Sequence, residues 1–274
     1  MERPSWAPED VDLDRPSVAR VYDYYLGGSH NFAADRAFAE QVLESMPHAR
    51  TAAYENRAFL RRAVTYLGKQ GIRQFIDLGS GIPTAGNVHE LAPAGSKVVY
   101  VDLDPVAVAH SRAILEGVAN TAVINGDLRK PADVLAHPML RAVIDFREPI
   151  AFMLVAVLHF VTDEERPVEI VAGYAASSVP GSHVVISHGG LPTDRELTEG
   201  EQRGLALYQR SPTPVVLRSR DEVEDLFGDL TIVEPGILPP ALWRADEPID
   251  DVQPAPVGAG GEPTFGSAAI GRKD

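Results

Sequence analysis

The chain has 274 residues, with 25 basic against 39 acidic side chains and a formal net charge of −14. Its length and its 45% hydrophobic content are sufficient for one large domain with a buried core. The acidic charge argues against a nucleic-acid-binding protein, because no basic excess is available to neutralise phosphates, and the absence of cysteine excludes disulfides, thiolate metal sites and a cysteine nucleophile.

The first 70 residues predict an N-terminal arm followed by helices. Residues 1–14 are acidic and contain proline, without the apolar stretch of a secretion signal, and we expect a mobile arm. Apolar residues recur at helical spacing over 18–26, a second helix is predicted within 32–46, and a third buries one face over 56–67. Residues 15–70 are therefore predicted to form a helical cap, which we expect to act as a lid over a ligand.

The pattern changes to short apolar runs after residue 70. Five runs rich in β-branched residues are separated by stretches long enough for helices, at 74–76, 97–101, 121–124, 151–158 and 183–186. Such an alternation predicts parallel strands that are covered on both faces. Later elements are predicted as helices at 193–209 and 219–227, a strand at 230–233, a loop rich in Pro, Gly and Asp at 246–262, and a last strand at 266–270.

Residues 71–274 are thus predicted to form one α/β core. The longest apolar run, 151–161, is too short to span a membrane, which takes about 20 residues. We therefore expect a soluble, cytoplasmic protein without a membrane partner.

The most informative segment is a glycine turn, Asp77-Leu78-Gly79-Ser80-Gly81, that follows the first predicted strand. Its two glycines permit a tight turn and a close approach of the backbone to a ligand, and a helix is predicted to begin near Pro83. Dinucleotides and S-adenosylmethionine both bind to turns of this kind. The dinucleotide pattern has a third glycine where this chain has Thr84, and Asp77 would face an anionic pyrophosphate. A carboxylate there suits instead a ligand that carries an ammonium and a sulfonium, which favours S-adenosylmethionine.

Two later strands also end in acidic residues. Asp102 ends the second strand, where a carboxylate can accept both hydroxyls of a ribose, and Leu103 follows it as a further cofactor-binding candidate. Asp104 is the alternative to Asp102 as the ribose-binding carboxylate, but Asp104 can instead cap the next helix. Asp127 follows the third strand and can accept a hydrogen bond from an adenine amine, with Leu128 against the ring.

These residues, in this order and spacing, resemble class I S-adenosylmethionine-dependent methyltransferases. The segments RPSVARVYDYYLGGSHNF, NVHE, VAVLHFV and WRAD also resemble an actinomycete family of S-adenosyl methyltransferase-like proteins, long described as a domain of unknown function. The resemblance implies a doubly wound, seven-stranded, mostly parallel sheet with the last strand antiparallel, and S-adenosylmethionine at the carboxyl ends of the strands. Pro83 departs from the pattern, because many class I enzymes have a third glycine there.

His159 and Tyr24 are the catalytic candidates. His159 follows a buried strand and is expected at the carboxyl edge of the sheet, where it could take a proton from the methyl acceptor. A histidine that only hydrogen-bonds the backbone is the alternative, and His188 has a comparable position on the next strand. Tyr24 lies off the apolar face of the first helix, beside a polar loop, whereas Tyr22 and Tyr25 are expected in the core. Two histidines without a carboxylate cluster do not predict a metal site.

The sequence therefore predicts an S-adenosylmethionine-dependent methyltransferase that acts on a small-molecule acceptor by in-line transfer. The acidic charge disfavours a nucleic-acid acceptor, and so does the absence of an Asn/Asp-Pro-Pro-Tyr/Phe motif after the fourth strand. A non-catalytic sensor of S-adenosylmethionine or S-adenosylhomocysteine is one alternative. An NAD(P)-dependent oxidoreductase is the other, and Asp77 and the missing third glycine disfavour it.

Overall fold

The computed structural model describes residues 12–83, 86–192, 195–247 and 266–274. The predicted N-terminal arm lies outside the described residues except for residues 12–14, and so does most of the predicted loop at 246–262. Within the described part of the chain, no helix is long and apolar enough to cross a membrane.

Three helices form the N-terminal part of the chain. They are α1 (Val18–Tyr25), α2 (Ala33–Ser45) and α3 (Ala49–Lys69), which confirms the three helices predicted from apolar spacing. The apolar residues of α3 that lie three and four positions apart form one buried face against the sheet. Phe59, Ala63 and Leu67 are fully buried on this face.

Seven strands form one sheet. They are β1 (Gln74–Leu78), β2 (Lys97–Asp102), β3 (Thr121–Asn125), β4 (Ala151–Val155), β5 (His183–Gly189), β6 (Thr231–Ile232) and β7 (Gly266–Arg272). Their order is β3-β2-β1-β4-β5-β7-β6. Strands β1 to β5 pair in parallel, and β7 runs antiparallel to both of its neighbours. The predicted fold class, a doubly wound and mostly parallel seven-stranded sheet, is confirmed.

Helices cover both faces of this sheet. They are α4 (Val88–Leu91), α5 (Pro105–Ile114), α6 (Pro131–Ala136), α7 (Pro138–Val143), α8 (Pro167–Ala176), α9 (Glu199–Gln209) and α10 (Arg220–Asp225), with short 3₁₀ turns at Leu158–Phe160 and Asp163–Glu165. Ile76 and Leu78 of β1 point into a core shared with α6, α7, α8 and α10, whereas Phe75 points into the core shared with α3. Because side chains alternate along a strand, Asp77 lies on the α3 side.

Two helices begin later than the sequence predicted. The helix expected near Pro83 is a single turn that begins at Val88, because Gly86 adopts a left-handed conformation at φ +81° and Asn87 and Glu90 form a capping box. In that box the Glu90 carboxylate accepts the backbone N–H groups of Gly86 and Asn87 at 2.7 and 2.8 Å.

The helix predicted over 193–209 begins at Glu199. The Thr198 hydroxyl accepts the backbone N–H of Glu201 at 3.2 Å and so sets the start of α9. Both differences have the same cause, since a capping box decides the first residue of the helix.

A buried ion network joins the N-terminal helices to the sheet. The Arg20 guanidinium on α1 donates to Asp35 on α2 at 2.8 Å and to Asp104 at 3.2 Å. Asp104 also caps α5, because its carboxylate accepts the Val106 N–H at 2.7 Å. Ser17 adds a hydroxyl donor to Asp104 and a backbone donor to Asp35. One carboxylate therefore both begins a core helix and holds α1 in place.

Replacement of Arg20 by alanine would leave the fully buried Asp35 carboxylate without its cation. We expect the free energy of unfolding to fall by about 3–5 kcal/mol, as when one side of a buried ion pair is removed. Urea unfolding followed by circular dichroism measures the change. Arg203→Ala, which removes an exposed ion pair with Glu199, is the control and is expected to cost less than about 1 kcal/mol. An equally small loss for Arg20→Ala would contradict the role of the network.

Candidate active site

A cavity of about 570 Å³ lies at the carboxyl ends of the parallel strands. The ends of β1, β2 and β4 and the segment after β3 form one wall, and α1 and α3 form the opposite wall. Ligands of open α/β sheets bind in this position, because the strand ends leave a crevice between the loops that follow them. The N-terminal helices lie over this crevice and so close it from one side.

The glycine turn after β1 shapes the cavity wall. Gly79 and Gly81 have φ angles of +72° and +66°, which residues other than glycine rarely adopt. A Cβ atom on Gly79 would lie 2.4 Å from the Val157 side chain, whereas one on Gly81 would meet nothing within 4 Å. Gly79 is therefore required for packing, and Gly81 leaves the turn open toward the cavity. The backbone N–H groups of Gly79 and Ser80 both donate to the Val101 carbonyl, at 2.8 and 3.1 Å.

Asp77 is a buried carboxyl group that lines the cavity. No described group donates a hydrogen bond to it. Burial raises its pKa to about 7; Arg57 opposes this increase and Asp102 adds to it. A nearby positive charge favours the ionised form of such a buried carboxyl group, so a cationic ligand beside Asp77 would be stabilised.

Asp102 links the end of β2 to the glycine turn. Its two carboxylate oxygens accept the backbone N–H of Gly81 at 2.6 Å and of Asp104 at 2.8 Å. Burial raises the pKa of Asp102 to about 6, although these hydrogen bonds partly oppose it. A carboxylate offers about four lone-pair sites, so acceptor capacity remains for a ligand hydroxyl. Leu103 is 57% exposed beside it and lines the cavity.

Asp127 is held in place by an arginine that the sequence analysis missed. The Arg129 guanidinium donates to both carboxylate oxygens of Asp127 at 2.8 Å, and it also donates to Glu165 at 2.6 Å. Burial acts to raise the pKa of Asp127, but the contacts with Arg129 outweigh it and the pKa is lowered. Leu128 lies next to the glycine turn, with its Cδ2 atom 3.4 Å from the Cβ position of Gly79.

The structure brings all eight predicted cofactor-binding residues to the same cavity. They are Asp77, Gly79, Ser80, Gly81, Asp102, Leu103, Asp127 and Leu128. The Ser80 hydroxyl is buried and has no hydrogen-bond partner among the described residues. An unpartnered hydroxyl and an unpartnered carboxyl on one wall fit a ligand with both polar and cationic groups, as S-adenosylmethionine has.

Comparison with known proteins identifies the family. A family profile described as S-adenosyl methyltransferase matches residues 4–263. The chain therefore belongs to the S-adenosyl methyltransferase family. It is an S-adenosylmethionine-dependent methyltransferase, and S-adenosylmethionine is its cofactor. The resemblance noted in the sequence is confirmed, and the oxidoreductase alternative is not supported.

Two solved structures are similar to this methyltransferase over its length. One is a proposed methyltransferase from Thermobifida fusca, with 39% identity, a TM-score of 0.87 and coverage of 99% of this chain and 100% of that chain. The other is a DUF574 family protein from Streptomyces avermitilis, with 32% identity, a TM-score of 0.87 and coverage of 96% and 99%. No curated protein matches the chain.

His159 of the methyltransferase lies on the 3₁₀ turn after β4 and lines the cavity. Its Nδ1 atom accepts the backbone N–H of Gly189 at 3.3 Å, and no described group bonds its Nε2 atom. A neutral imidazole whose Nδ1 accepts carries its proton on Nε2. Burial, together with smaller contributions from His188 and Arg218, lowers the pKa of His159 to about 3. The backbone hydrogen bond that the sequence offered as the alternative role of His159 is present. The role of His159 as a base stays a prediction. The geometry favours Nε2 as a hydrogen-bond donor.

Arg218 is a second residue that the sequence analysis missed. This buried arginine donates to the Nε2 atom of His188 at 2.9 Å and to the carbonyls of Leu158 and Val161 at 3.1 and 3.0 Å. It also forms an ion pair with Asp163 at 2.6 Å. Arg218 therefore fixes the turn that carries His159, and no local sequence pattern marks it.

Tyr24 requires a correction, because the structure does not place it in the cavity. Its hydroxyl donates to Glu40 on α2, and the Arg50 guanidinium lies 5.8 Å from its ring centroid. Tyr25 is buried in the core of the N-terminal helices and Tyr22 packs against that core, as the sequence predicted, and both also line the cavity. The reason is that α1 packs on α2 through one side and faces the cavity through another.

A chain of hydrogen bonds connects β5 to the N-terminal helices. The Ser187 hydroxyl donates to the Asn56 side-chain oxygen at 2.5 Å, and the Asn56 amide donates to the Tyr22 hydroxyl at 2.8 Å. Ser187 itself accepts the Ala156 N–H at 2.9 Å. All four residues line the cavity, so its floor and its cover are joined by polar contacts.

The raised pKa of Asp77 predicts pH-dependent cofactor binding. Below about pH 7 the carboxyl group of the free protein is protonated, and a cationic ligand must displace that proton. We expect the affinity for S-adenosylhomocysteine to fall as the pH is lowered through about 7, by up to roughly tenfold for each pH unit. Isothermal titration calorimetry from pH 5.5 to 8.5, in two buffers of different ionisation enthalpy, measures both affinity and proton release.

Asp77→Asn is the control for this prediction. The variant should bind more weakly but lose most of the dependence near pH 7, while any contribution from the ligand's own amine at higher pH remains. The same pH dependence in the variant and the wild type would contradict the assignment to Asp77.

Proposed function

We propose that this methyltransferase transfers the methyl group to a small-molecule acceptor by in-line displacement. The observation that carries the proposal is the cavity, which continues from the glycine turn to a second end beneath α1, α3 and α9. The eight predicted cofactor-binding residues occupy the first end. The second end has room for an acceptor of limited size, and the net charge of −14 disfavours a nucleic acid as that acceptor.

At the cofactor end we assign one polar contact to each acidic residue. Asp77 pairs with the ammonium of the methionine portion, Asp102 accepts the ribose hydroxyls, and Asp127 accepts the adenine amine. Leu103 and Leu128 lie against the ring. The support for this assignment is that no described group donates a hydrogen bond to Asp77, while Gly81 and Arg129 already orient the other two carboxylates.

S-adenosylmethionine supplies a methyl group that is already activated by its sulfonium charge. The protein therefore has to align the acceptor with that group and to exclude water. Alignment of two reactants in a site corresponds to effective molarities of about 10⁵ M or more, which is a large part of the rate enhancement. We assign the exclusion of water to the cap formed by α1, α2 and α3, which the Arg20 network holds against the end of β2.

Removal of the Asp102 carboxylate tests the cofactor assignment. We expect Asp102→Ala to weaken S-adenosylhomocysteine binding at least about tenfold, because a hydrogen bond to a charged group contributes about 1.5–3 kcal/mol. Calorimetric titration of the wild type with S-adenosylmethionine, S-adenosylhomocysteine and NAD accompanies this measurement. Asp133→Ala, which changes an exposed acidic residue on α6, is the control and should bind like the wild type.

Transfer itself is measured with methyl-labelled S-adenosylmethionine and the small-molecule fraction of a cell extract. We expect label to appear in a low-mass product with the wild type and to decrease with Asp102→Ala. Equal affinity for both adenosyl ligands, with label recovered in no product, would instead support the sensor alternative. The proposal would be overturned if the protein bound NAD but bound neither S-adenosylmethionine nor S-adenosylhomocysteine.

A further inference from the structure

The acceptor end of the cavity is mostly apolar, and its acidic group is already paired. Phe160, Leu205 and Val215 contribute apolar walls, together with the rings of two tyrosines. Glu201 on α9 receives two hydrogen bonds from Arg195, at 2.7 and 2.8 Å, and this arginine lowers its pKa to about 2. No described carboxylate at this end is left to pair with a cationic acceptor, so the site disfavours an aliphatic ammonium.

The two tyrosine hydroxyls at this end also bond to each other. The Tyr25 and Tyr208 oxygens lie 3.1 Å apart, and burial raises the pKa of both groups, that of Tyr208 to about 12. They therefore remain protonated at neutral pH, and neither is a base. Their rings contribute flat, apolar surface, which suits a planar ring in the acceptor.

One corner of this end presents a hydrogen-bond donor with positive charge behind it. Because the Nδ1 atom of His159 accepts the Gly189 N–H, the ring proton lies on Nε2. This Nε2–H has no described hydrogen-bond partner. His188 lies 5.6 Å from His159 between ring centroids, and its Nε2 atom is bonded to the buried Arg218 guanidinium, whose ion-pair partner Asp163 is exposed to solvent. A neutral N–H donor backed by a buried cation stabilises an oxyanion, and the same charge disfavours protonation of either histidine.

Resting on the proposed function, we propose that the acceptor is a planar, ring-bearing molecule with an acidic hydroxyl, a phenol or an enol, which binds as its oxyanion to the Nε2–H of His159. The hydroxyl loses its proton to water before it binds. A lone pair of the oxygen forms the new bond to the methyl carbon while the carbon–sulfur bond breaks and its electron pair stays on sulfur. The products are a methyl ether and S-adenosylhomocysteine, and the opposite charges of oxyanion and sulfonium are both consumed.

This loss of charge explains why an apolar chamber suits the reaction. Opposite charges that neutralise each other gain most in a low dielectric, where water does not stabilise the separated charges. A base is not needed at the acceptor end, which agrees with the lowered pKa values of His159 and His188. His159 then acts by holding the nucleophilic oxygen.

The test uses 4-nitrophenol and the larger 4-nitro-1-naphthol, whose ionised forms absorb visible light. They are titrated onto the protein saturated with sinefungin, an analogue that keeps a positive charge in place of the methylsulfonium. We expect bound probe to show the phenolate band below its solution pKa, with the apparent pKa lowered by about one unit or more. Sinefungin affinity, measured first by calorimetry, reports the cofactor end alone.

Two pairs of variants locate the effect. His159→Phe removes the donor and should abolish the downward shift, whereas His159→Gln keeps a side-chain N–H and should restore part of it. Leu205→Trp fills the acceptor end and should weaken probe binding at least about tenfold, while sinefungin binding changes by less than about threefold. Ala206→Trp, on the exposed side of the same helix, is the matched control and should bind the probes like the wild type.

The outcomes separate this inference from the proposed function. Failure of sinefungin and S-adenosylhomocysteine to bind the wild type would overturn both. Normal sinefungin binding with no probe binding, or with probes bound in the protonated form, would overturn the acceptor class alone. An equal loss of the phenolate band in His159→Phe and His159→Gln would contradict the donor role, and an undiminished band in His159→Phe would place the oxyanion elsewhere.

Discussion

The Asp104 carboxylate is the contact on which the active site depends, because it serves two structures at once. It caps α5, the helix that follows β2, and it receives Arg20 and Ser17 from the N-terminal helices. Two residues before it, Asp102 holds the glycine turn through the Gly81 N–H. The end of β2 thus positions the turn on one side and the cap on the other. A cavity exists between them because both are anchored to the same short segment.

The cost of this arrangement is that acidic groups are kept in places where water cannot reach them well. Asp77 and Asp102 both have pKa values raised by burial, to about 7 and about 6. Asp127 differs, because Arg129 and, beyond it, Glu165 form a partly exposed ion pair network around it. The folded state therefore stores unfavourable electrostatic free energy at the β1 end, which a cationic ligand relieves. Burial of apolar surface in the two cores on either face of the sheet offsets this unfavourable free energy.

Much of the fold, and the placement of the eight candidate cofactor-binding residues at one cavity, could be predicted because the signals are local. A buried strand that runs into Gly79 and Gly81, a second strand that ends in Asp102, and a third strand that is followed by Asp127 are read directly along the chain. The start of α4 at Val88 was also readable, as an Asn87–Glu90 capping box, but the helix-favouring Pro83 pointed to an earlier start. Tyr24 was misassigned because the pattern of one helix does not tell which of its packed sides faces a ligand.

The end of the cavity that we propose for the acceptor could not be predicted from local pattern. Arg218 reaches the turn of His159 from far along the chain, and Glu201 is neutralised by Arg195 in a preceding loop. Neither arginine belongs to a motif, and each acts through contacts that only the tertiary structure creates. The tautomer of His159, and with it the difference between a base and a donor, follows from the Gly189 backbone.

The position of β7 also has a consequence for synthesis of the protein on the ribosome. β7 follows β6 in the sequence but lies between β5 and β6, and it pairs with β5 along seven residues from Gly266 to Arg272. Until this segment has left the exit tunnel, β5 presents an open edge of unpaired backbone groups, and β6 lacks its partner strand. Such an edge is a template for association with other nascent chains. Because Gly266 also lines the cavity, the methyltransferase cannot complete its candidate active-site cavity before this late strand has been inserted.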